Sequence, residues 1–238
     1  MCVLVALRSL PGVLCLAANR DERTNRPWQP PQLLLEDPPV FGGRDLVAGG
    51  SWLAVNLTAR LVVGVSNARL RAPAGERSRG ELVVTLAREA GLADAAALLG
   101  ELDLARYGPF NLLLADPREL WTATNAPLPL LRREEERAIA IGNDLLTTPS
   151  RRLTEVRMAA GALAGQGYGE VLDAFAGLLA DHRGLDPLCR HGHGYGTVCS
   201  TLVALSSAGV LEYRFASGPP CTTAFVELAL PPSPPPRH

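Results

Sequence analysis

MCVLVALRSLPGVLCLAANRDE, residues 1–22, is the stretch from which the rest of the reading follows. Two runs rich in Val and Leu, 2–8 and 13–19, flank Ser9, Pro11 and Gly12, which is the composition of a β-hairpin. A turn at Pro11-Gly12 places Cys2 opposite Asn19 and Arg20, with Asp21 and Glu22 just beyond. Period-two alternation puts Asn19 and Asp21 on one face and Arg20 on the other. A slip of one residue would exchange the faces.

Cys2 follows Met1 directly. Methionine aminopeptidase acts before small residues, so the mature chain is expected to begin with a thiol and a free α-amine on one residue. That amine, with a pKa of about 7.7–8, can take the thiol proton without any His. An Asp beside it holds its orientation, and a nearby Arg lowers the thiol pKa. The bland alternative is a small buried Cys beside a solvated strand end.

The same stretch is apolar enough to raise a secretory signal. It has no basic leading region, and Arg8 and Pro11 split it. No uncharged run approaches the roughly 20 residues that a membrane-spanning helix needs. Five cysteines, Cys2, Cys15, Cys189, Cys199 and Cys221, are an odd number at wide spacings and form no disulfide framework. The expectation is a soluble, cytoplasmic protein with free thiols.

Beyond the hairpin, residues 24–39 are rich in Pro and polar side chains and read as a loop. Residues 52–58 and 61–67 form a second hairpin. Ser78-Arg-Gly-Glu81 is a capping box that opens a helix, continued by 93–100. Segments 110–115, 120–124, 128–131 and 138–142 are strand-like. Two helices follow, from Pro149 to about 163 and over 170–180. Strands 198–205, 210–215 and 223–228 close the order. Strands, two helices, strands, two helices, strands is not the alternation of a doubly wound parallel sheet. It fits an α+β chain: a four-layer αββα sandwich of two mainly antiparallel sheets. No linker divides it, so residues 1–230 are expected to form one domain, ahead of a Pro-rich tail over 231–238.

Of the 238 residues, 23 are Lys or Arg and all of these are Arg, so chemistry that needs a side-chain amine is excluded. A net charge of −1 argues against nucleic acid as a partner.

Several motifs, taken in order, resemble the NRDE family (transport and Golgi organisation 2-like). They are MC at the start, AANRDE at 17–22, Arg26-Pro27, GGSWLAV at 49–55, RGELV at 79–83, FNLLLAD at 110–116, GNDLLTTP at 142–149 and YGT at 195–197. The resemblance implies an N-terminal-nucleophile (Ntn) hydrolase-like fold and links the chain to secretory organisation, lipid handling and haem trafficking. A more distant likeness is to the penicillin V acylase and bile-salt hydrolase branch of Ntn hydrolases. It implies Asp21 at the amine, Asn67 at the end of Gly64-Val-Ser-Asn67 as an oxyanion donor, and Asn143 as a second. Side-chain amides suit that work because they donate without titrating. That branch has an Arg where this chain has Ala18, and another where it has Ser200 or Thr201.

The catalytic set expected from all this is Cys2, Asn19, Arg20, Asp21, Asn67 and Asn143, with Trp52, Tyr195 and Thr197 lining the substrate site. The expected reaction is hydrolysis or acyl transfer at a C–N amide bond of a small or lipid-like molecule. The alternative is a carrier for an apolar ligand, haem or an acyl lipid, in the same pocket; a thiol redox role for Cys2 is a third. No cofactor and no metal are expected. Cys189, His191 and His193 form a Cys/His cluster, but their spacing fits no zinc-finger or covalent haem pattern, and the surrounding glycines point to a surface loop. Cys15, Cys199 and Cys221 are expected in the core, and 132–137 (RREEER) in a solvated turn.

Overall fold

The computed structural model describes residues 2–71 and 75–231. Met1 and residues 232–238 of the Pro-rich tail lie outside the described residues. The opening hairpin forms from β1 (Val3–Leu10) and β2 (Val13–Arg23), joined through Gly12, whose φ of +72° is in the left-handed region. The register pairs Val3 with Asn19 and Leu4 with Ala18, which continues to Cys2 against Arg20.

Further strands are β3 (Trp28–Glu36), β4 (Pro39–Asp45), β5 (Leu53–Asn56), β6 (Leu61–Asn67), β7 (Phe110–Ala115), β8 (Leu120–Thr124), β9 (Leu130–Glu134), β10 (Ala138–Ile141), β11 (Tyr195–Ser206), β12 (Gly209–Ala216) and β13 (Val226–Glu227). The helices are α1 (Arg79–Ala87), α2 (Leu92–Glu101), α3 (Arg151–Gly161) and α4 (Tyr168–Leu179). One sheet has six strands in the order β10-β1-β2-β11-β12-β13, and the other seven, β3 to β9 in sequence. Neighbouring strands in both are antiparallel.

Strand alternation sorts the layers. Leu4 and Ala6 of β1, with Leu14, Leu16 and Ala18 of β2, meet Phe41, Leu53, Val62 and Leu113 of the other sheet. The alternate residues Val3, Val5, Leu7, Cys15 and Ala17 pack under Val156, Leu172 and Phe175 of α3 and α4. On the far side, Val40, Ala54, Leu61 and Val63 pack against Leu82, Leu86 and Leu99 of α1 and α2. The result is the αββα sandwich. Each buried Leu or Val contributes roughly 1.5–3 kcal/mol, so a one-residue slip of β1 would cost far more than any polar contact at the strand ends could return.

Three segments differ from the sequence reading. Residues 24–39 hold β3 and the start of β4 rather than a loop. Pro30 and Pro31 are tolerated because β3 is the sheet edge and its register breaks between Gln29 and Gln32. Half of the 132–137 charge run lies in β9, the opposite edge, where charged side chains face water. The strand expected over 223–228 shortens to Val226–Glu227, which pairs with β12 and is followed by one more bond, from the Leu228 N–H to the Tyr213 carbonyl at 2.8 Å.

Candidate active site

The open end of the β1–β2 hairpin faces a groove of about 840 Å³ lined by Cys2, Arg20, Asp21, Asp45, Trp52, Asn67 and Arg79, among others. Cys2 is half-buried at its floor. The thiol donates to the Asp21 carbonyl at 3.4 Å, and the Asp21 N–H donates back to Sγ at 3.4 Å. Desolvation, with the Asp21 charge adding to it, pushes the thiol up to about 11 against the pull of the Asp21 N–H and Arg20. A thiol raised in this way is protonated near pH 7, so attack by this sulfur needs a proton acceptor.

Asp21 is wholly buried. Its Oδ1 accepts from Thr197 Oγ1 at 2.7 Å, and its Oδ2 lies 3.8 Å from Arg190 Nε. Burial still outweighs these partners and raises its pKa. Thr197 also accepts from the Arg190 N–H at 2.9 Å, so one hydroxyl links the carboxylate to the 188–196 loop. Tyr195 donates to the Asp21 carbonyl at 3.3 Å, and desolvation followed by the Cys2 and Asp21 charges lifts its phenol to about 12.

Arg20 shares the inter-sheet side with Cys2. Its guanidinium lies 4.5 Å from the Trp52 ring centroid and donates to Asp45 at 2.9 Å. Its Nη1 is buried with no hydrogen-bond partner among the described residues. Arg26 donates to both Asp45 oxygens at 2.7 and 3.0 Å. Burial alone would raise the Asp45 carboxyl, but Arg26 and the Val47 and Ala48 N–H groups hold it below the usual range. Trp52 can lie across Gly43 only because that residue has no Cβ, which would sit 2.2 Å from the indole.

Asn67 is exposed on the groove at the end of β6. The Asn143 amide donates to the Asn67 carbonyl at 2.6 Å, and the Asn143 carbonyl accepts from the Arg69 N–H at 2.6 Å. The two asparagines therefore meet, Asn67 toward the groove and Asn143 behind it. Asn19 is turned to the other face. Its Nδ2 donates to the Leu179 and Leu188 carbonyls at 3.0 and 2.9 Å, and its Oδ1 accepts from Ser200. With those bonds made it anchors the end of α4 and does not reach the groove.

Arg79 is the residue that sequence reasoning passed over. It stands in the first turn of α1, where Ser78 caps the helix by accepting from the Gly80 N–H at 3.2 Å. Glu81, the other half of the expected capping box, instead pairs with Arg77. Arg79 donates to the Pro109 carbonyl at 3.0 Å, and among the described residues no carboxylate pairs with it. Desolvation lowers its pKa, with the charge of Cys2 the first of the opposing effects. Its place depends on Gly50 and Gly80. The Ser51 N–H donates to the Gly80 carbonyl at 3.0 Å, and a Cβ on Gly50 would lie 2.2 Å from Gly80. The motifs at 49–55 and 79–83 are thus the two sides of one backbone contact.

Cys221, expected in the core, is half-buried beside Cys189 and His191. His193 is exposed and stands apart from that group. Cys15 and Cys199 are buried as expected. No helix among the described residues is long and apolar enough to cross a membrane.

The family model described as Transport and Golgi organisation 2 matches residues 1–215. No curated protein matches the chain. Among solved structures, the Caenorhabditis elegans ortholog of N-acylethanolamine-hydrolyzing acid amidase is similar in fold, with a TM-score of 0.58 at 12% identity, over 84% of this chain and 92% of that one.

Proposed function

The chain belongs to the Transport and Golgi organisation 2 family, and from that premise we propose that it is an N-terminal-nucleophile amidohydrolase or acyltransferase. The observation that carries the proposal is Cys2 at the floor of a groove, tied to Asp21 and beside the partnerless Nη1 of Arg20. The amidase fold of the nematode neighbour supports it.

Removal of Met1 gives Cys2 an α-amine that takes the thiol proton as Sγ attacks a carbonyl carbon. The Asp21 carboxylate orients the resulting ammonium. The Asn67 amide donates to the tetrahedral oxyanion, and Asn143 positions Asn67. The C–N bond breaks as the ammonium returns its proton to the leaving amine. Water, or an acceptor nucleophile, then releases the acyl group from sulfur by the same base. Arg20 and Arg79 select a substrate with an anionic or carbonyl-rich head and Trp52 flanks it, whereas Tyr195 and Thr197, which do not line the groove, keep Asp21 in place. The groove is of small-molecule size.

Intact mass before and after brief iodoacetamide treatment near pH 7 tests the first step. The expected result is loss of Met1 and one fast alkylation that Cys2→Ala abolishes, followed by turnover of acyl-amide substrates that Cys2→Ala also abolishes. Retained Met1, or unchanged hydrolysis in Cys2→Ala, overturns the proposal.

A thiol held at about 11 favours a second reading, binding without turnover, in which haem or an acyl lipid is carried in the same groove. A Soret titration and native mass spectrometry separate the two: a bound ligand that Cys2→Ala retains, with no hydrolysis by either protein, selects the carrier.

A further inference from the structure

We propose that Cys189, His191 and Cys221 form a binding site for a thiophilic divalent metal ion of the zinc class. The three ligand atoms lie within 4.8 Å of one another. Cys189 Sγ is 3.5 Å from Cys221 Sγ and 3.7 Å from His191 Nε2, and His191 Nε2 is 3.0 Å from Cys221 Sγ. Two sulfurs and one imidazole nitrogen on a tetrahedral zinc ion, with bonds of about 2.3 and 2.0–2.1 Å, stand about 3.5–3.8 Å apart. One ion set just off the plane of the triangle reaches all three atoms once the closest pair, His191 Nε2 and Cys221 Sγ, moves apart by about 0.5 Å. Cys189 is buried, Cys221 half-buried and His191 exposed, so the fourth position opens to solvent.

The ligands are held before any ion arrives. The Leu188 and Cys189 N–H groups both donate to the Asp181 carbonyl, at 3.0 and 2.9 Å, and the Leu188 carbonyl accepts from Asn19. The Arg190 carbonyl accepts from the Thr197 N–H at 2.9 Å, and a Cβ on Gly196 would lie 2.6 Å from that carbonyl. Cys221 is presented by a turn in which the Thr222 and Thr223 N–H groups donate to the Pro219 carbonyl. The His191 ring rests edge-on against His182 at 5.9 Å between centroids. Convergence of His191 Nε2 with both sulfurs, rather than one, favours a shared ion over a dithiol alone. Arg190 sits between two of the ligands and reaches Asp21, so the ion would fix the loop that braces the Cys2 site. The metal site does not depend on Cys2 being a nucleophile.

Cobalt titration of the reduced, chelator-treated full-length protein tests it. The expected result is one equivalent of Co²⁺ with a thiolate-to-cobalt charge-transfer band and tetrahedral d–d absorption, both displaced by Zn²⁺ and both retained in Cys2→Ala. Cys221→Ser should roughly halve the charge-transfer intensity and weaken binding at least tenfold. His191→Gln, a change at an exposed side chain, should weaken binding at least tenfold with the circular dichroism spectrum unchanged. Absence of the bands in the unaltered protein overturns the proposal, as does a His191→Gln variant that binds as tightly. A Cys189–Cys221 disulfide that forms in air despite stoichiometric Zn²⁺ overturns it in favour of a redox pair.

Discussion

Arg79 and Arg190 approach the Cys2 end of the sandwich from opposite helical layers, and they are equipped differently. Arg190, from the loop after α4, has Asp186 and Asp21 as partners and closes the site from behind. Arg79, from the first turn of α1, faces the groove with a backbone carbonyl and no paired carboxylate among the described residues. A desolvated guanidinium without a counter-ion is unfavourable for stability. Under the proposed function, that guanidinium is placed to meet the anionic or carbonyl-rich head of a substrate. The contrast separates bracing from binding within one small region.

Asp21→Asn should give the largest effect, because its carboxylate meets the Arg190 brace and, under the proposed function, orients the amine that serves Cys2. Turnover of any amide substrate is expected to fall by about 10³-fold. Stability should move the other way. The raised pKa means that the ionised carboxylate is disfavoured in the folded chain, so its contribution worsens as pH rises through the ordinary Asp range. The amide variant is therefore expected to gain a few degrees in Tm at pH 7. A fall in both would assign Asp21 to structure alone.

Next in size is Arg79→Gln, for which KM for an anionic substrate should rise roughly 10- to 100-fold with kcat and Tm nearly unchanged. Equal losses for neutral and anionic substrates would remove the assignment to substrate binding. Arg190→Ala should reverse that pattern, with stability down by about 1–3 kcal/mol because a buried carboxylate loses one of the charges that compensate it. Chemical denaturation at pH 7 measures this, and an unchanged midpoint would erase the contrast between the two arginines.

The smallest effect concerns acid. Asp45, held below its usual pKa, contributes stability that is present above the ordinary Asp range and is lost as pH falls through its folded value. Asp45→Asn should lower stability at pH 7 by about 1 kcal/mol and make the loss below about pH 4 shallower. A parallel acid profile in both proteins would show that the Arg20–Asp45–Arg26 cluster has no share in it.

The sequence carried the hairpin, the layer order and the meeting of Cys2 with Arg20 and Asp21. Those rest on local facts: a Pro-Gly turn, period-two alternation and two continuous apolar runs. It also carried the cap at Ser78. It did not carry β3, because Pro30 and Pro31 argue against a strand unless the strand is known to be an edge. The hairpin register sets Asn19 near Cys2, but its amide serves the α4 side, since its partners Leu179 and Leu188 come from distant segments. Nothing local ties Cys221 to Cys189, 32 residues earlier, so the sequence alone points to the core for it. Arg79 was hidden inside a motif quoted for resemblance rather than for charge. Sites assembled from several segments escape a reading that moves along the chain.

The contact between Gly50 and Gly80 has a consequence for mutational surveys. Neither residue offers a reactive atom, yet a methyl group on Gly50 would meet the Gly80 backbone at 2.2 Å and one on Gly80 the Gly49 carbonyl at 2.9 Å. Alanine at either position should therefore displace the first turn of α1, and with it Arg79, from the groove. No compensating change at the other position can restore the fit, because neither glycine has an atom left to remove. Both positions belong with the groove rather than with interchangeable loop residues.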